Sequence, residues 1–134
     1  MNIQLEKNQT GFDSEKIASA ALQAFFNLSE HWKLKAKEEK ILLGSPPEST
    51  FFSWKAKKTA KNLSQDTLER ISYLLGIYKA LNILLSSQRA ADEWVRKPNA
   101  APLFNEQSAL EKMLAGNVVD IADVRRFLDS QRGL

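Results

Sequence analysis

The stretch LERISYLLGIYKALNILL, residues 68–85, decides the fold of this 134-residue chain. Its apolar residues recur at positions 68, 71, 74, 75, 78, 81, 84 and 85, which is the spacing of one face of an α-helix. Ile77 and Ile83 widen that face. A helix from Ser64, a good N-cap, to Leu85 is about 33 Å long and too apolar to be covered on one side only. We therefore predict a long central core helix, and leave open that it also carries a partner or dimer surface.

Composition narrows the class of protein further. Arg70 and Lys79 interrupt the apolar stretch and make it a poor membrane span. The first residues lack the apolar core of a signal peptide. The chain has no cysteine, which excludes disulfides and cysteine-based metal sites. We therefore expect a cytoplasmic protein with no membrane partner.

Charge is distributed unevenly along the chain. Residues 1–62 contain ten lysines and seven acidic residues, which accounts for the whole net charge of +3, whereas the rest of the chain is balanced. An excess of positive charge in one half indicates an anionic partner for that half, although a solvated basic surface explains it equally well.

Apolar residues at helical spacing predict further helices on both sides of the central one. After a flexible tail over residues 1–12, we expect helices over residues 13–27, 36–43 and 46–58. Beyond the central helix we expect helices over residues 88–96 and 108–115, and a last one ending near Gln131. A loop over residues 99–105 should bury Leu103 and Phe104. No stretch has the pattern of a strand, so we predict an all-α fold of about seven or eight helices.

Two of these helices have the spacing of a helix-turn-helix. Gly44 should cap the first, and Ser45-Pro46-Pro47-Glu48 reads as a capping box with proline in the first turn of the second. In this motif the amino-terminal part of the second helix enters the major groove of DNA, and lysines after it can hold phosphates. An αα corner that binds no DNA is the alternative. The candidate DNA-binding residues are Glu48, Ser49, Thr50, Ser53, Lys55 and Lys58.

Nothing in the sequence has the pattern of an active site. His31 is the single histidine and has no carboxylates at ligand spacing, so a structural role explains it best. There is no phosphate-binding loop and no distinctive nucleophile. We therefore predict a binding protein without catalytic residues, metal or cofactor, rather than an enzyme.

The order of several short motifs resembles the Xre/MbcA/ParS antitoxin family. The resemblance runs from about Ile17 to the end of the chain. The motifs are Trp32-x-Leu34, Glu39-x-x-Leu42-Leu43-Gly44, Thr50-x-x-x-Trp54-Lys55, Leu63-Ser64-x-Asp66-x-Leu68-Glu69-Arg70-Ile71, Leu75-Gly76-Ile77-Tyr78-Lys79-Ala80-Leu81, Trp94-x-x-x-Pro98-Asn99, Leu103-Phe104 and Leu110-x-x-Met113-x-x-Gly116, followed by Val124 and Leu128.

The resemblance implies an Xre-like helix-turn-helix region, placed here at residues 13–62, and a toxin-binding domain at residues 63–134 that share the long central helix. It also implies an antitoxin of a type II toxin–antitoxin module that binds a RES-type, NAD-consuming toxin or a related one, and operator DNA as a homodimer. Carried over by position, the toxin-blocking end is Gln131, Arg132, Gly133 and Leu134. Our hypothesis is that the cationic Arg132 and the terminal carboxylate compete for a site built for an anionic dinucleotide. The loop over residues 99–105 is the alternative segment that would block the toxin. A transcription regulator or orphan interaction domain without a toxin is the alternative function.

Overall fold

The computed structural model describes the backbone of residues 3–134 and the side chains of residues 13–134. Its described part contains seven α-helices and one short 3₁₀ turn, and the extended contacts there amount to one isolated bridge between Pro98 and Ser108. The helices are α1 (Ile3–Trp32), α2 (Ala36–Leu42), α3 (Glu48–Lys57), α4 (Gln65–Leu84), α5 (Gln88–Glu93), α6 (Ala109–Met113) and α7 (Val118–Gln131), with the 3₁₀ turn at Trp94–Arg96 between α5 and α6. The prediction of an all-α fold is confirmed.

Helix α4 is the centre of the core, as its sequence predicts. It packs against α1 on one side and α7 on another. Leu74, Ile77 and Leu81 are each at most 1% exposed, which confirms that Ile77 widens the apolar face. Ser64 caps the helix by accepting a hydrogen bond from the backbone N–H of Thr67 at 3.1 Å. Unlike Ile77, Ile83 is 55% exposed and does not extend the buried face, and it lies with the exposed Leu84 in the last turn of α4.

Helix α1 is longer than the sequence pattern predicts. It begins at Ile3, not at Asp13 or Ser14, and ends at Trp32, not near Asn27. The upstream residues contain no proline, and a single glycine inside a helix costs only about 1 kcal/mol, so that the turns before Asp13 can continue it. Met1 and Asn2, the start of the predicted flexible tail, lie outside the described residues.

The predicted capping box at Ser45 and Glu48 is wrong. Gly44 and Ser45 both adopt left-handed backbone conformations, with φ of 96° and 54°. The N–H groups of Gly44 and Ser45 donate to the carbonyls of Ile41 and Lys40, each at 3.0 Å, which is a Schellman motif closing α2. Ser45 therefore belongs to the end of α2, and α3 begins only at Glu48.

The loop after the 3₁₀ turn buries one of its two predicted apolar residues. Phe104 is 1% exposed, whereas Leu103 is 37% exposed. Neighbouring side chains in a loop point in different directions, so that Phe104 packs into the core while Leu103 faces outward. No helix among the described residues has a stretch long and apolar enough to cross a membrane.

Candidate functional site

Helices α2 and α3 form the predicted helix-turn-helix. Phe51 of α3 is 1% exposed and packs against Phe26 of α1, with ring centroids 6.4 Å apart. The turn between the two helices lies against the start of α4. A Cβ at Gly44 would come within 3.0 Å of the Asp66 carboxylate and 3.1 Å of Nε of Arg70, so that glycine allows a close approach there as well as the left-handed backbone.

A buried carboxylate joins three helices of this region. Glu39 of α2 is 3% exposed. Ser29 of α1 donates a hydrogen bond to Oε2 of Glu39, and Nζ of Lys55 in α3 binds its Oε1, both at 2.6 Å. Charge-assisted hydrogen bonds of this length are strong, and a buried carboxylate requires them to offset its lost hydration. Glu39 therefore fixes the orientation of α3 relative to α1 and α2.

The six candidate DNA-binding residues separate into two groups. Glu48, Ser49 and Ser53 are exposed on the outer face of α3, and Thr50 beside them is partly buried. The remaining two, Lys55 and Lys58, reach the surface but contact other groups of the same chain.

Lys58 takes a left-handed conformation just after α3, with φ of 53°. Its Nζ donates to the carbonyl of Lys55 at 3.2 Å and lies 5.9 Å from the ring centroid of Phe26. Lys55 is held by Glu39. Both lysines thus help to hold the end of α3. The sequence could not predict this role, because Glu39 and Phe26 are distant in the chain and the contact of Lys58 depends on its left-handed backbone.

Further residues on and beside the outer face of α3 can contact a partner, although the sequence pattern does not mark them as sites. Phe52 is 50% exposed, and its position four residues after Glu48 places it on the same helical face. Lys57 and Lys61 are exposed, and within the part of the chain whose side chains are described neither has an ion-pair partner. Lys57 and Lys61 are therefore available cations near the end of α3, and Lys37 and Lys40 of α2 line a pocket beside Glu48.

The carboxyl-terminal residues proposed to block a toxin form a capped helix end. Gly133 has φ of 81°, and the N–H groups of Gly133 and Leu134 donate to the carbonyls of Ser130 and Asp129 at 3.1 and 3.0 Å. This is again a Schellman motif. Arg132 is partly buried and lies 3.8 Å from the Asp129 carboxylate, and Gln131 is exposed. Leu134 is 76% exposed, so that the end presents an apolar side chain to the surroundings.

An arginine anchors the helix that carries this end. The guanidinium of Arg125 lies across Gly76 of α4, where an added Cβ would come within 1.6 Å of its Nη1. Nε of Arg125 donates to Asp129 at 3.0 Å. The missing side chain at Gly76 therefore lets α7 approach α4 closely and orients the last turn of α7.

The loop over residues 99–105, the alternative toxin-blocking segment, is held by local hydrogen bonds. The side chain of Asn99 accepts from the N–H of Ala101 at 2.9 Å, and the carbonyl of Asn99 accepts from Glu106 at 2.9 Å. Asn105 and Glu106 both have positive φ, 49° and 69°. Leu103 is the large apolar side chain that this loop exposes.

A cavity of about 740 Å³ lies where the end of α1 meets α5 and the 3₁₀ turn. His31 is partly buried and 3.2 Å from the Asp92 carboxylate, which agrees with a structural role. Arg89 lies 3.0 Å from Glu93, and its hydrogen bond lowers the pKa of the Glu93 carboxyl. Arg96 donates to the carbonyls of Trp32 and Lys33 at 2.9 and 2.7 Å. The contacts of His31 and Arg96 join the end of α1 to the second half of the chain.

Comparison with known proteins adds two family matches that together span most of the chain. Residues 14–76 match the antitoxin Xre-like helix-turn-helix domain, and residues 80–133 match the antitoxin Xre/MbcA/ParS C-terminal toxin-binding domain. The chain is also 49% identical over 121 residues to the uncharacterized protein y4oB of Sinorhizobium fredii (strain NBRC 101917 / NGR234), which covers 90% of each chain.

Replacing Lys55 by alanine removes the cationic partner of the buried Glu39 carboxylate. We expect the free energy of unfolding to fall by about 1–3 kcal/mol, less than for a fully buried pair because the Lys55 side chain is 41% exposed. Urea unfolding followed by circular dichroism measures this loss. The control is Lys57→Ala, which should change the free energy of unfolding by no more than about 0.5 kcal/mol. Equal losses in the two variants would contradict the role assigned to Lys55.

Proposed function

The chain belongs to the Xre/MbcA/ParS antitoxin family, and from that membership we propose that it is the antitoxin of a type II toxin–antitoxin module. It neutralises its toxin by direct binding, and its end at Gln131–Leu134 enters and blocks the toxin active site. It acts without an active site or cofactor of its own. The cognate toxin is a RES-type, NAD-consuming enzyme or a related one, a class that comes from the family resemblance.

The capped end of α7 is the observation that carries this proposal. It lies at the edge of the region that matches a toxin-binding domain, and its Schellman motif orders the backbone before any partner arrives. An end that is already ordered loses little conformational entropy on binding. Leu134 is exposed and available to an apolar pocket of a partner.

Arg132 is the cation of this end, and it can pair with an anionic group or a hydrogen-bond acceptor of the toxin. Its present ion pair with Asp129 is long, 3.8 Å, and Asp129 keeps its shorter contact with Arg125, at 3.0 Å, when Arg132 leaves. Transfer of the guanidinium from Asp129 to an anionic group or a hydrogen-bond acceptor in the toxin is therefore inexpensive.

Truncation after Ser130 tests the blocking end. We expect the full chain, produced together with the protein encoded beside it, to restore growth and cellular NAD. The truncated chain should still co-purify with that protein but inhibit it at least about tenfold less. A loss of about 1.4 kcal/mol in the free energy of contact at the active site corresponds to a tenfold change in the inhibition constant.

Val119→Ala is the matched control, since Val119 is 54% exposed at the opposite end of α7 and should leave inhibition unchanged. Thermal melting of the truncated chain checks that α7 remains folded. Full inhibition by the truncated chain would move the blocking role to the loop over residues 99–105 or another surface.

Operator binding is the second candidate function, favoured by the helix-turn-helix match over residues 14–76. Ser49 and Ser53 would face the bases from the exposed side of α3, with Lys57 and Lys61 on phosphates. Helix-turn-helix proteins bind paired half-sites as dimers, so this function includes a homodimer that represses its own operon. The alternative is a regulator or orphan interaction domain with no toxin.

Salt dependence tests the operator proposal. Each lysine–phosphate contact removed lowers the magnitude of the slope of log K against log salt by about 1, and the dimer carries each lysine twice. Lys57→Ala with Lys61→Ala should therefore lower that magnitude by about 4 on a duplex from upstream of the gene. Lys79→Ala, an exposed lysine on α4, is the control and should keep the slope. A double variant with the slope of the unmodified chain would refute this assignment of phosphate contacts.

A further inference from the structure

An apolar groove opens where the carboxyl ends of α4 and α7 lie side by side. We name it the α4–α7 groove, and its volume is about 220 Å³. Its walls come from the last turns of both helices, from the 3₁₀ turn and from the start of the following loop. The lining residues are Leu81, Leu84, Leu85, Trp94, Asn99, Phe127, Leu128 and Gln131. None of them carries a charge.

Two aromatic rings, Trp94 and Phe127, line this groove, and a third ring, Phe104, packs behind them. Trp94 and Phe127 are stacked, with centroids 6.4 Å apart and an interplanar angle of 23°. Phe104 meets both of them edge-on, at 5.8 and 5.1 Å. Phe104 is 1% exposed, so the cluster is anchored in the core, whereas Trp94 and Phe127 are only partly buried. Aromatic side chains held in this way are the usual anchors of protein interfaces.

The size and chemistry of the groove favour a protein side chain as its occupant. Its volume lies below the range of about 300–1,000 Å³ that is typical of small-molecule sites. Leu84 lines the groove and is 36% exposed, so that an apolar edge faces outward. An uncharged groove with an aromatic wall suits one apolar side chain of a partner.

We propose that the α4–α7 groove is the docking site for an apolar side chain of the cognate toxin. This inference rests on the antitoxin function proposed above. All lining residues fall between positions 81 and 131, inside the region 80–133 that matches a toxin-binding domain. A second copy of this chain is the less favoured occupant, because Leu74 and Ile77 of α4 are buried and the helix presents little besides its last turn to a partner.

The groove and the blocking end adjoin at Gln131, which belongs to both, but the two surfaces have different tasks. The groove supplies binding energy, and the end at Gln131–Leu134 blocks the active site. A change in the groove should therefore weaken the complex, whereas loss of the end should weaken inhibition more than affinity.

Leu84→Glu in the full chain tests the groove. We expect its affinity for the protein encoded beside this chain, measured by calorimetry, to fall by at least about thirtyfold, as for an interface hot spot. Leu84→Ala adds no charge, keeps a strong helix former and should weaken binding by about tenfold. Val119→Glu, at the far end of α7, is the matched control and should bind within about threefold of the unmodified chain. Circular dichroism melting checks that each variant is folded.

Unchanged affinity of folded Leu84→Glu and Leu84→Ala, together with a tight complex of the unmodified chain, would overturn the groove assignment and leave the antitoxin function standing. If the Leu84 variants instead dissociate a homodimer in sedimentation analysis and bind the neighbouring protein normally, a second copy occupies the groove, and the proposal is wrong. If the unmodified chain neither binds nor inhibits that protein, the proposed function itself fails, and the groove assignment fails with it.

Discussion

The burial of helix α4 on two sides is the constraint on which the rest of the structure depends. Its apolar residues occupy too much of its surface for one neighbour to cover, so that α1 and α7 must both pack on it. The helix-turn-helix and the toxin-binding region are therefore built on one core and not on two separate ones. A change in α4 acts on both regions at once.

Short-range contacts fix the orientation of the helices that carry the candidate functional surfaces on this shared core. Glu39 orients α3 through Lys55, and Gly76 lets Arg125 lie across α4 and orient α7. Each contact places a helix whose outer part carries a candidate site. The outer face of α3 is mainly polar with lysines beside it, whereas the end of α7 adjoins the uncharged α4–α7 groove, a difference that suits a division between DNA and a protein partner.

The apolar pattern predicted the helices better than it predicted their ends or their polar contacts. The long helix, the cap at Ser64 and the end of α2 at Gly44 follow from spacing and local chemistry. The capping box at Ser45 did not form, because the Schellman motif of α2 uses the same residue. The engagement of Lys55 could not be predicted, since it depends on a glutamate sixteen residues away in the chain and on how three helices cross.

Hydrogen–deuterium exchange of this chain, alone and with the protein encoded beside it, tests the central claim most directly. If the carboxyl-terminal half binds a toxin through the α4–α7 groove and the end of α7, exchange should slow at residues 81–85 and 127–134. Exchange at residues 48–57 of α3 should stay the same. Protection confined to α3, or no protection anywhere in the presence of that protein, would contradict the account.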